Sequence, residues 1–91
     1  MIYEAQGHRI DLKRITRLYP AATVRAGGEV AQVSLEWADL KKDQVPIESY
    51  VLVFDVDPLG EVPENRVELR YGSKEELIAA MHEVAALFDA Q

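Results

Sequence analysis

Cysteine is absent from this sequence, which removes disulfides, thiolate nucleophiles and every zinc site built on sulfur. Long apolar runs are absent as well. The longest is Tyr50-Val51-Leu52-Val53-Phe54, far short of the ~20 residues of a membrane helix. Met1-Ile2-Tyr3-Glu4 has neither the basic region nor the apolar stretch of a secretory leader. Basic residues are scarce, 10 Lys and Arg against 16 Asp and Glu for a formal charge of −6, and a nucleic-acid binder ordinarily carries a clustered basic face. Gly27-Gly28 is too short to cradle a phosphate, and no dinucleotide or P-loop pattern occurs. Ser34, Ser49 and Ser73 lack a nucleophile-elbow context, and His8 and His82 have no partner that spacing identifies. No cofactor motif, internal repeat or low-complexity tract is present.

What is there reads as one globular domain spanning residues 1–91. The chain has 91 residues, 48% of them hydrophobic, too many for a disordered chain and too short for two cores. A small, soluble, cytoplasmic domain is expected. Its charge is divided. Residues 1–30 carry five basic and three acidic groups, a net of +2; residues 31–91 carry five basic and thirteen acidic groups, a net of −8. The basic group Arg9, Lys13, Arg14, Arg17 and Arg25 is the candidate ligand-binding set, because guanidinium and ammonium groups hold phosphates and carboxylates through charge-assisted hydrogen bonds. The competing expectation is that these side chains pair with Glu36, Glu48 or Glu68 on neighbouring strands.

Alternation with a period of two marks strands. Val33-Ser34-Leu35-Glu36-Trp37 shows it, with Val33, Leu35 and Trp37 on one face and Trp37 a core anchor. Arg66-Val67-Glu68-Leu69-Arg70-Tyr71 repeats it. Tyr50 to Val56 is apolar on both faces: Tyr50, Leu52, Phe54 and Val56 are expected in the core, and Val51 and Val53 need a cover on the other side. Either the fold covers both sides of this strand or one side is used for dimerisation, and the second makes Val51 and Val53 the interface candidates of a homodimer. Ala26-Gly27-Gly28-Glu29 marks a tight hairpin. Residues 9–20 read as strands with a bend near Lys13-Arg14 that resets the alternation. The runner-up is an open sheet with two helices, the first over residues 12–19 and capped by Asp11.

Ser73-Lys74-Glu75-Glu76 is a capping box. It opens an amphipathic helix of about four turns whose stripe is Leu77, Ile78, Met81, Val84, Ala85 and Phe88. Asp55-Val56-Asp57 places two carboxylates on one side of an extended segment, the seed of a carboxylate-based metal-dependent enzyme. As a calcium loop it fails, since a third acidic position is missing and Arg66 stands where the bidentate Glu belongs. Carboxylates capping the nine-residue loop Asp57–Asn65 account for the pair without a metal.

The predicted class is α+β: an antiparallel meander of five to seven strands closed by one C-terminal amphipathic helix. That order of elements resembles a compact pleckstrin-homology-like barrel over the whole chain, without a diagnostic motif. The resemblance implies binding of phosphorylated lipids or protein segments, and the acidic composition departs from the basic mouth of the lipid binders. The expected function is a non-enzymatic, self-associating protein-interaction module. The alternatives are an anion- or phospho-ligand-binding domain using the N-terminal basic group, and the carboxylate enzyme at Asp55 and Asp57.

Overall fold

Two-residue turns set the first contacts in the computed structural model, which describes residues 1–62 and 64–90. Gln6 and Gly7 both have positive φ, 52° and 80°, the combination that matches the twist of paired strands. They join β1 (Ile2–Ala5) to β2 (His8–Asp11), with Tyr3 opposite Ile10. Gly27 and Gly28, at 59° and 82°, join β3 (Arg17–Ala26) to β4 (Glu29–Val33) in the same way. Between β2 and β3, Asp11 fixes the expected bend: its carboxylate accepts from the Lys13 N–H at 3.0 Å and its carbonyl from the Arg14 N–H at 3.0 Å. Residues 12–19 therefore contain no helix, and the alternative with a first helix there is set aside.

A helix forms elsewhere, where alternation pointed to a strand. β4 ends at Val33, and α1 spans Leu35–Lys41. Ser34 is its N-cap, with the hydroxyl accepting from the Trp37 N–H at 3.1 Å, and Glu36 and Lys41 suit its two ends. Over five residues, apolar positions spaced by two also fit one helical turn, and the cap decides between them. Trp37 is consequently not a core anchor; it is 39% exposed, and Ala38 is the buried residue of α1.

β5 (Ile47–Asp55), β6 (Arg66–Tyr71) and α2 (Lys74–Asp89) complete the chain. The spatial order is β4-β3-β5-β6, antiparallel throughout, beside the separate β1-β2 hairpin. The class is α+β with six strands and two helices among the described residues. The chain is not a simple meander, because α1 lies between β4 and β5 and carries the chain across β3, so that β5 pairs on the far side of β3 from β4. Nor does the sheet close into a barrel.

One sheet face builds the core. Leu52, Phe54 and Leu69 pack against Leu77, Ala80 and Val84 of α2 and against Tyr3, Ile10 and Leu12 from the hairpin region. The Tyr3 and Phe54 rings stack with centroids 6.2 Å apart. The hairpin also protects the outer edge of β6. The Gln6 carboxamide donates to the Arg70 carbonyl at 2.7 Å and accepts from the Arg70 N–H at 3.0 Å, as a neighbouring peptide unit would. Ser73 caps α2 as expected, accepting from the Glu76 N–H at 3.2 Å, while the Glu76 carboxylate accepts from the Gly72 N–H at 3.0 Å.

Candidate functional site

Val51 and Val53, the expected dimer interface, are covered within the single chain, both at 0% exposure. Strand register shows how. On their face Val53 lies between Tyr19 and Glu68, and Val51 between Ala21 and Arg70. The Gln32 carboxamide of β4 then reaches the Glu68 carboxylate of β6 at 3.3 Å. Those strands are three spacings apart, ~14 Å in a flat sheet, so the sheet curls toward this face and the hydrogen bond passes above β3 and β5. The cover that the sequence required comes from the sheet's own side chains.

The five basic candidates do not form one group. Arg25 lies eight residues along β3 from Arg17, about 26 Å at strand rise, and bonds Glu48. Arg9 sits 3.7 Å from Glu4 across the hairpin. Arg9 and Arg14 line a depression of about 240 Å³ that also contains Asp11. Lys13 is exposed in the bend that follows β2. Arg17 stands opposite Asp55.

Asp55 and Asp57 separate as well. Asp55 is 1% exposed at the end of β5, its Oδ1 3.1 Å from the Arg66 Nε, so a buried charge is compensated by a neighbouring strand. Asp57 organises the loop, accepting from the N–H groups of Asn65 and Glu64, each at 2.8 Å, and from the Asn65 side chain at 3.0 Å. The Asn65 N–H, chief among these donors, holds the Asp57 carboxyl below its ordinary range. No group of three or more His, Cys, Asp or Glu placed to hold a metal ion occurs among the described residues. His8 and His82 are exposed, one in the hairpin and one on α2.

A different surface stands out. β4 pairs with β3 only from Ala22 onward, so Arg17 to Ala21 form an unpaired edge. Pro20 lies in that stretch, where the missing N–H blunts an open edge. Beside it runs an apolar groove of about 230 Å³, floored by Leu18, Pro20 and Leu52 and walled by Met81, Ala85 and Phe88 of α2. It shares Tyr19 and Pro20 with an opening of about 480 Å³ that extends past Val33 to Leu35 and Glu36 of α1. Leu18 is 37% exposed and Phe88 40%. Lys74 and Asp39, 2.7 Å apart, tie the start of α2 to α1. That hydrogen bond raises the Lys74 ammonium above its ordinary value.

The groove follows from how α2 is placed. Leu77, Ala80 and Val84 are buried against β5 and β6, which leaves Ile78, Met81, Ala85 and Phe88 on the adjacent side. The sequence holds a signal of this. From Leu87 round to Ile78 the apolar side chains cover about half the helix circumference at ~100° per residue, against the ~100° stripe one contact needs. An apolar face that wide serves two contacts, whereas the stripe was expected to serve one. The vacancy over Leu18 and Pro20 had no such signal, since it depends on where β4 stops.

Comparison with known proteins finds no matching family model, no matching curated protein and no matching solved structure.

Proposed function

We propose that this chain is a non-enzymatic protein-interaction module whose working surface is the apolar groove between β3 and α2. The observation that carries the reading is the partial exposure of Leu18 on the floor and Phe88 on the wall of that groove. Large side chains held over a concave, largely apolar surface are characteristic of a site that buries more when a partner arrives. Val51 and Val53, buried inside the chain, are not available to a second copy. The acids at Asp55 and Asp57 are each occupied in holding the fold.

The test uses a synthetic amphipathic helix of fourteen residues, about four turns, with leucines at 3-4 spacing and uncharged Gln and Ala flanks. Titrated into the labelled protein, it should shift the resonances of Leu18, Met81, Ala85 and Phe88. Leu18→Glu and Phe88→Glu should each weaken binding at least tenfold with unchanged circular dichroism. Binding that leaves those four residues unshifted, or no binding at all, overturns the reading.

A further inference from the structure

The open β3 edge invites a strand, yet its chemistry refuses one. A strand added there would need a ladder of N–H donors, and Pro20 has none. The layer above the sheet is where something is missing. Helices pack 8–10 Å apart, so a sheet of four strands, ~14 Å between its outer members, takes two side by side. α2 is one of them. The hairpin covers the Phe54 end of this face, and over β3 the layer holds only α1, which at seven residues is ~10 Å long and leaves Leu18 and Pro20 lining an open groove.

The side of α2 facing that gap has a helix-pairing seam. Ile78, Met81, Ala85 and Phe88 follow one another at intervals of three, four and three, the spacing of core positions in paired helices. Ile78 is 39% exposed and Phe88 40%, and the seam runs ~15 Å along the axis. Lys74, four residues before Ile78 at the head of the seam, is taken up by Asp39; the charges without an ion pair beside the seam are acidic. Glu75 and Asp89 lie on the solvent side of the seam and Glu36 lines the adjoining opening, and among the described residues none of the three is in an ion pair. Asp89 also sits at the negative end of the α2 dipole, in a last turn with no basic residue.

We propose that the groove takes a basic amphipathic helix of another protein, apolar residues at 3-4 spacing against the α2 seam and Lys or Arg beside Glu36, Glu75 and Asp89. This deepens, and rests on, the reading of the groove as an interaction surface. A second copy of the chain does not fit: α2 carries Lys74 against four carboxylates, a net of −3, and two such helices side by side repel. An anionic membrane surface is opposed by the same acids.

The test compares two further versions of the fourteen-residue peptide, one flanked by Lys and one by Glu, with the neutral version. The Lys peptide should bind at least tenfold more tightly than the neutral one and lose that advantage in high salt. The Glu peptide should be weaker than both. Glu75→Gln with Asp89→Asn should bring the Lys and neutral peptides within about threefold of each other. Equal affinity for Lys and Glu flanks overturns the basic partner while leaving the groove as a binding surface. Failure of all three peptides overturns the groove itself. A free chain that sediments as a dimer, and becomes a monomer on Phe88→Lys, assigns the groove to a second copy and also overturns the proposal.

Discussion

Val51 and Val53 carry the most information per atom in this chain, because the same two side chains mean opposite things on an open face and on a closed one. With both at 0% exposure, each buries its full apolar area within one molecule. Val51→Ala or Val53→Ala should cost about 2–3 kcal/mol, from lost transfer energy plus a cavity. Chemical denaturation measures this, and the sedimentation coefficient should not change. A loss of dimer with little loss of stability would instead place the pair at an interface. Lysine at either position should unfold the chain, where an exposed interface would accept it. Asp55 shows the same dependence on surroundings. In the sequence it is one of two carboxylates on a strand; in the fold it is out of water, with Oδ1 3.1 Å from the Arg66 Nε and, among the described residues, neither oxygen hydrogen-bonded. The alternation of Tyr50, Leu52 and Phe54 made the core face legible. What covered the other face was not, because Gln32 and Glu68 are 36 residues apart and meet only through the curl of the sheet.

At the scale of elements, local signals succeeded where they were complete. Gly27-Gly28 made a hairpin, and Ser73 with Glu76 began a helix. In the sequence Ser34 fits one outward position of a strand, whereas in the fold its hydroxyl caps α1 and sets the local period to 3.6. The Asp57–Asn65 loop offers a pH test. Its hydrogen bonds favour the ionised Asp57, whose folded pKa is therefore depressed. The stabilisation is fully present above the unfolded carboxylate value of about 3.9 and is lost as pH falls through the lower folded value. Acid titration should leave the Glu64 and Asn65 amides bonded down to about pH 4 and release them below it. Asp57→Asn should abolish that step, and amide shifts against pH are the measurement. A release centred near neutrality would contradict the assignment.

Across the whole molecule, three parts of the chain converge on one pair of hydroxyls. Tyr3 comes from the hairpin, Tyr71 from β6 and Glu83 from α2. Burial, first, then the neighbouring Tyr3 and the Glu83 charge push the Tyr71 phenol up to about 12; burial and Glu83 raise Tyr3 as well. A raised phenol favours folding while it stays neutral, so this contribution is complete below about pH 10 and disappears as pH rises through about 12. Tyr71→Phe should flatten the alkaline limb of the stability profile, and absorbance at high pH should show one tyrosine ionising late. Stability falling equally in both proteins would disprove the linkage. Sequence alone determined the strands over residues 50–55 and 66–71, the glycine hairpins, the capped C-terminal helix, and the division between a mildly basic beginning and an acidic remainder, because each depends on residues close in the chain or on their sum. Tertiary structure alone decided that Arg25 would lie far from Arg17 while Arg9 and Arg14 share one depression, that Val51 and Val53 would be inside, and that α2 would turn half its apolar face to an empty place beside β3. Those outcomes depend on strand order, sheet curvature and the point where β4 ends, and such contacts join residues far apart in the chain, beyond the reach of any local pattern.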